Sequence, residues 1–309
     1  MRGYAFRRLG RGVVTVWLVT LAVFFLLRFT GDPIDYLANP SITVEDRERM
    51  KREFGLDKPW HIQYLLFNKG IFTGNFGVSV RWSGNEAFDV FKSRVMATVQ
   101  LVGAGLAFSM VTGLLLGVIS AAYPDSWFDR VGKLVAITGQ AMPAFWLGLL
   151  FILLFSIWLG WLPSAGGLDR VGWKGILMPS ISLGWFLVAA NMRLSRSSML
   201  EVLDSEYIKM LRAKGLPSQL IIWKHALRNA SLPVITLFGV NLALLVGGAL
   251  VTEQIFSWPG IGLLLVDAIL ARDYAVVQTV VFFSAIVIVV TNIIIDLAYA
   301  WLDPRVRLT

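Results

Sequence analysis

Two histidines, no cysteine and three asparagines inside long apolar runs are the raw material this chain offers for chemistry. His61 and His225 fall in different polar segments, so neither a two-histidine metal site nor a His-Glu-x-x-His helix can be built from them. The lack of cysteine excludes disulfides and thiolate-ligated metals. No Gly-x-Ser-x-Gly nucleophile turn is present, and no Gly-x(4)-Gly-Lys-Ser/Thr phosphate loop, so the chain is expected neither to hydrolyse esters nor to bind and cleave ATP itself. We assign no catalytic residue and no metal ligand. Asn191, Asn241 and Asn292 remain, each an amide that is costly to leave unpaired among apolar groups. Such amides either line a polar path or hydrogen-bond between helices. Asp296 is read in the second way, as an interface ion pair or hydrogen bond rather than a proton carrier.

The elements that must position these groups are membrane helices. Of 309 residues, 56% are hydrophobic and only 16% charged, with mean hydropathy +0.68, an excess of apolar surface that no soluble domain of this length would carry. A span needs roughly 20 mostly apolar residues. Runs of that kind occupy Leu9–Phe29, Val95–Tyr123, Val131–Trp161, Ile176–Met192, Leu232–Thr252 and Val276–Leu302, which predicts an all-α polytopic protein with six transmembrane helices. Pro143 lies inside the third run and predicts a kink or break there. The central parts of the runs carry no ionisable residue. Proton- or ion-coupled carriers place charge at that depth, so a passive channel or a transporter driven from outside fits better.

Lys and Arg in the short loops set the orientation. With the amino terminus inside, the inner face holds Arg2, Arg7, Arg8, Arg11, Arg130, Lys133, Arg305, Arg307 and the seven cations between Arg193 and Arg228. The short outer loops hold only Arg170, Lys174 and Arg272. Both termini are therefore expected in the cytoplasm, where anionic lipid attracts the net charge of +8; nucleic acid is not needed to explain it. The first helix has no small-x-small cleavage site before Gly31-Asp32-Pro33 and is expected to be retained. Trp127, Trp158, Trp161, Trp173, Trp223 and Trp301 fall near predicted span ends, as an interfacial belt requires.

Four regions follow: residues 1–29 with the first helix, an external region 30–94, a transmembrane core 95–303 containing a cytoplasmic loop 193–231, and a tail 304–309. In the external region Glu45–Phe54 has the charge pattern of an exposed helix, and Pro59, Gly70, Gly74, Gly77 and Gly84 mark turns. Gly113 and Gly117 form a Gly-x(3)-Gly pair that permits close helix packing. Between the fourth and fifth spans, Tyr207, Ile208 and Leu211 recur at helical spacing, Gly215 breaks the helix, and Leu220–Trp223 restart an apolar run ending at His225. Such a segment can lie along the membrane surface and present its polar side to a soluble partner.

That loop, Glu206-Tyr207 through Arg212-Ala213-Lys214-Gly215-Leu216 to His225-Ala226-Leu227-Arg228-Asn229-Ala230, resembles the cytoplasmic EAA loop of ATP-binding-cassette (ABC) importer permeases of the dipeptide, oligopeptide and nickel family. Other motifs continue the resemblance in order: Leu27-Arg28 with Gly31-Asp32-Pro33, Phe54–Pro59, Gln63-Tyr64, Gly74–Ser79, Met142–Leu147, Phe256–Gly262, Ala271–Tyr274 and Leu302–Arg307. The chain departs from the general importer motif in having Lys209-Met210-Leu211 where that motif has Glu-Ala-Ala.

The resemblance implies a type I ABC importer permease fold in a bacterial-type inner membrane. It implies that Glu206, Tyr207, Arg212, Ala213, Lys214, Gly215, Leu216, His225 and Arg228 form the ATPase-coupling segment, His225 and Arg228 bracing its second half. Met142 and Pro143, with Asn191 and Asn241, are expected along the translocation pathway. Trp258-Pro259-Gly260 is expected to be an external gate or a fixed turn. The implied partners are a homologous second permease, two ATPase subunits that carry the ATP and magnesium, an external substrate-binding protein and the bilayer. Peptides are the expected substrate, with nickel chelates, glutathione and oligosaccharides as alternatives.

Overall fold

The structure is a computed structural model and describes residues 2–29, 31–34, 43–82 and 84–302. Among these the regular elements are helical, and strand-like pairing is confined to an isolated bridge between Val78 and Glu86. The principal helices are α1 (Arg2–Phe29), α2 (Val44–Glu53), α3 (Trp60–Thr73), α4 (Ala87–Ala122), α5 (Trp127–Ala141), α6 (Ala144–Phe151), α7 (Lys174–Leu203), α8 (Glu206–Ala213), α9 (Phe238–Ile255), α10 (Ile261–Leu270) and α11 (Tyr274–Leu302).

Among the described residues four single helices have the length and apolarity to cross a membrane: α1, α4, α7 and α11. The third predicted span is two helices. α5 ends at Ala141, Pro143 stands before α6, and the pair Trp127–Ala141 and Ala144–Trp158 is bent by 109°. Proline supplies the reason, since it lacks an N–H and disfavours helix at Met142, whose backbone is extended. The fifth predicted span, Leu232–Thr252, is also divided, into Leu232–Thr236 and α9. α7 runs past its predicted end at Met192 to Leu203, because Ser195 and Met199 are buried and nothing before Asp204 stops the helix. The predicted tail 304–309, with Arg305 and Arg307, lies outside the described residues, as does the side chain of Asp296. Asn292 is exposed.

The chain divides into two compact units, one comprising residues up to Thr98 together with Pro259 onward, the other Val99–Trp258. The external region is therefore not a unit by itself.

In the first unit, α1 and α11 pack side by side, close enough at Gly12 that a Cβ there would lie 2.6 Å from Val289. Leu27, Val90, Phe91, Leu264, Val277 and Val280 are buried together, and Phe91 stacks on Phe283 at 4.9 Å. The expected charged helix is α2, capped by Thr43, whose hydroxyl accepts from Asp46 N. Gly70 is not a turn but lies inside α3: the chain folds back so tightly that the carbonyl of Asn75 occupies the place of its side chain. The reversal comes at Gly74, with φ +76°.

Motifs far apart in the sequence meet in this unit. The buried Asp273 carboxylate accepts from Ser79 Oγ and from the backbone N–H groups of Val80 (3.0 Å), Arg81 (3.1 Å) and Val276 (3.2 Å). Tyr274 Oη donates to the carbonyls of Leu27 and Gly31. Arg28 reaches Gln63, which in turn donates to the carbonyls of Leu56 and Lys58.

In the second unit, α7 is the central post. Gly105, Gly113 and Gly117 of α4 press against it, and a Cβ on Gly117 would fall 2.3 Å from Ser195 Cβ and 2.6 Å from Met192 O. Gly132 and Gly139 of α5 approach Met192 and Ala189 of the same helix. Ser182 of α7 donates to Ala144 O at 2.7 Å, fixing the start of α6 just beyond the break.

Candidate functional site

α8 begins after Ser205, whose extended backbone starts the helix, and ends in a glycine cap. Gly215 N donates to Arg212 O at 2.9 Å and Leu216 N to Leu211 O at 3.3 Å, the paired bonds of a Schellman ending. Gly215 adopts φ +79°, a conformation that costs any other L-residue about 1–2 kcal/mol. Leu211 and Leu216 pack together on the same apolar cluster, as this ending requires.

One face of α8 is anchored. Ile208 is fully buried among Val118, Ala121, Met199, Ile221 and Ala226, a burial that stabilises by about 1.5–3 kcal/mol. Tyr207 Oη donates to His225 O at 3.2 Å and accepts from Asn229 Nδ2 at 2.8 Å, tying α8 to the second half of the loop. That half is helical throughout, with Ser218–Leu220, a π-helical stretch Ile221–Ala226, then Leu227–Ala230. Bracing thus comes from the His225 carbonyl together with Tyr207 and Asn229, whereas Arg228 is exposed.

The other face is open. Glu206, Lys209, Met210, Arg212, Ala213, Lys214 and Gly215 are exposed, and the surface continues over Leu220, Trp223 and Lys224. Glu206 at 3.0 Å, with Asp204 at 3.5 Å, raises the pKa of Lys209 above the ordinary ammonium value, so it is charged at any physiological pH. The result is a short basic helix with apolar Met210 and Trp223 beside it, held firmly from behind.

A second polar cluster holds the ends of α4, α5 and α7 together. Asp129, fully buried, accepts from Ser120 Oγ, from Arg196 Nε at 3.1 Å and from Asp125 N at 3.1 Å, and pairs with Lys133 at 2.8 Å. Sequence reasoning counted Arg196 and Lys133 as loop charges and passed over Asp129. The available signal was Ser126-x-x-Asp129, a helix-start pattern in which Ser126 Oγ accepts from Asp129 N at 3.3 Å.

Of the expected pathway residues, Met142 and Pro143 border a cavity of about 350 Å³ at the α5–α6 break, with Leu183, Phe186, Leu187 and Leu244 around it. Asn191 and Asn241 do not join them there. Both are buried, Asn241 Nδ2 donating to Asn191 Oδ1 at 3.0 Å and Asn191 Nδ2 to Ser109 O at 3.3 Å. Their amides are engaged between α4, α7 and α9. At the end of α9, Ser257 (φ +45°) is the left-handed residue of another Schellman ending, with Ser257 N on Gln254 O and Trp258 N on Glu253 O at 2.8 Å. Trp258 and Gly260 are buried and Pro259 is half-buried.

The family described as "Binding-protein-dependent transport system inner membrane component" matches residues 113–308, and its N-terminal counterpart matches residues 1–84. This chain belongs to that family. The permease is 34% identical over 308 residues to the "Glutathione transport system permease protein GsiC" of Escherichia coli (strain K12) and, to the same extent, to that of Salmonella typhi, covering 99% of each chain in both cases. A solved structure of the MetNI methionine ABC transporter in inward-facing conformations shares the permease's fold, with TM-score 0.55 and 18% identity over 70% of this chain and 97% of that one. The permease is thus an inner-membrane subunit of an ABC importer with the type I permease fold.

Proposed function

We propose that the permease forms half of a translocation pathway for peptides and peptide-like solutes, glutathione among them, and that α8 transmits ATP-driven movement to it. The observation that carries this reading is the two-sided build of α8: Ile208 and Tyr207 fix one face to the membrane helices, while the opposite face is exposed, basic and fringed by Met210 and Trp223. A helix rigidly joined to its support and bare on its outer side can pass on force from a docked partner. ATP and magnesium belong to two partner ATPase subunits. A homologous second permease completes the pathway, and an external binding protein delivers the substrate. Both termini and α8 face the cytoplasm, as the cationic loops require.

In this reading the cavity beside Met142 and Pro143 is a stretch of the pathway wall, where the bent chain leaves room between α5, α7 and α9. Closure of the ATPase pair shifts α8, and α7 carries the shift to that wall as a change between two packed states. The 34% identity to relatives named as glutathione permeases supports putting peptide-like solutes first in this reading.

The test joins contact to transport. A cysteine introduced at Ala213 should cross-link to a co-purifying ATPase subunit, and vesicles containing the assembly should take up labelled di- and tripeptides only with ATP and binding protein present. Absence of any ATPase from the purified assembly would sink the coupling role. Uptake of a nickel chelate in preference to peptides would sink the substrate assignment alone.

A further inference from the structure

Within the first unit α3 runs back along α1 in the opposite direction. Trp60 meets Phe29 and Phe25 with ring centroids 6.0 and 6.4 Å apart, and Tyr64 meets Phe24 at 5.0 Å. Phe67 then lies with Val23 and Thr20, and Ile71 and Phe72 line an apolar groove with Thr20, Trp17 and Phe282. The chain reverses at Gly74 and returns through Phe76, whose ring packs on Phe282 and Phe283 of α11 at 5.8 and 5.2 Å.

These contacts set a depth. Between Arg11 and Arg28, α1 carries no ionisable residue, and the two arginines are about 25 Å apart along the helix, close to the roughly 30 Å of a bilayer's hydrocarbon. Thr20 lies about 12 Å below Arg28 along α1. On α11, Phe282 lies about 12 Å below Tyr274, whose hydroxyl donates to the carbonyls of Leu27 and Gly31 at that same end. Two spanning helices thus put the last turn of α3 inside the roughly 15 Å of one leaflet's hydrocarbon.

The chemistry of α3 suits that depth. Leu65 (65% exposed) and Phe72 (89%), seven residues apart, share one face, while Gln63 and Gly70 are buried on the other. Phe72 continues the open apolar surface of α1 through Trp17, beside it in the groove. Lys69, the only lysine or arginine of α3, lines with Thr73 a polar cavity of about 400 Å³ shared with Arg28 and Gln63. Inside a bilayer a turn must satisfy its own polar groups. Here Gly74 N and Asn75 N donate to Gly70 O, Gly77 N to Asn75 Oδ1 at 3.0 Å, Thr73 Oγ1 to Lys69 O at 3.1 Å and Asn68 Nδ2 to Tyr64 O at 2.7 Å. We propose that α3 and its return stretch form a re-entrant half-span, with Leu65 and Phe72 against the acyl chains of one leaflet and Lys69 on the side of the polar cavity. The assignment depends only on the chain's lying in a membrane and is independent of substrate or ATPase coupling.

Two readouts on the native assembly test this, in vesicles of phosphatidylethanolamine and phosphatidylglycerol. With a phospholipid that carries a photoreactive diazirine on its acyl chain, illumination should leave lipid adducts on the peptide holding Leu65 and Phe72, as it should on the exposed Val13–Leu18 stretch of α1. Phe72→Cys should react with a membrane-impermeant maleimide at least about tenfold more slowly than Lys58→Cys just before the helix, the label being read on this chain, which has no other cysteine. Should Phe72→Cys fail to assemble, Leu65→Cys takes its place, and the lipid adducts need no substitution at all. Reaction at Phe72→Cys as fast as at Lys58→Cys would put α3 in water. Adducts on α1 with none on α3 would show that face covered by protein. Either result would overturn the proposal.

Discussion

Asn191 shows how little an apolar run reveals about a polar residue within it. Its amide stands between Ser109 O and the Asn241 amide, so three helices share two short side chains. Removing one partner leaves a buried group unsatisfied, whereas removing both is nearly neutral when shape is kept. Asn241→Leu should therefore lower stability by about 1 kcal/mol, and the double change with Asn191→Leu should cost less than the sum of the two singles. Thermal unfolding of the four proteins in a double-mutant cycle checks this; strict additivity would mean the amides are not coupled. The sequence could offer both readings of these residues and could not choose, because the choice depends on which helices meet at that depth. Asp129 was harder still. Its partners Ser120 and Arg196 lie on other helices, and no local pattern connects them.

Helix endings were the most legible elements, because they are written in a few adjacent residues. Gly215 after the apolar spacing of Tyr207, Ile208 and Leu211 marks the end of α8, and Pro143 marks the break between α5 and α6. The end of α9 has the same Schellman bonds as the end of α8, yet carries serine at the left-handed position. The two sites should respond in opposite ways. Gly215→Ala meets open space, so its whole effect is backbone strain of about 1–2 kcal/mol; ATP-coupled uptake should fall while the amount of assembled protein stays near wild type. Ser257→Gly relieves strain and should raise stability by up to about 1 kcal/mol. Unchanged uptake in Gly215→Ala would mean that the cap does not hold α8 in its working pose. The bounds of α3 were not legible because Gly70 looks like a turn; only the close passage of Asn75 explains a glycine inside a helix.

For the molecule as a whole, composition and loop charge carried most of the reading, and the motifs supplied the family. What they could not supply was the convergence of Arg28, Gln63, Ser79, Asp273 and Tyr274, which are separated by most of the chain and joined only by folding. Topology is directly measurable because the chain has no cysteine of its own. A single cysteine at Ala213 should react only with reagents admitted to the cytoplasm, and one at Lys58 with an impermeant reagent added outside; the reverse pattern would invert the assigned orientation. The 109° bend between α5 and α6 also bears on how the protein is made. Broken at Met142, neither Trp127–Ala141 nor Ala144–Trp158 reaches the roughly 20 residues that hold a helix across a bilayer alone. Both lean on α7, through Gly132, Gly139 and the Ser182 bond to Ala144. Residues 127–158 leave the ribosome before that support exists, so during synthesis they are a segment in waiting, settled in the membrane only when residues 174–203 arrive.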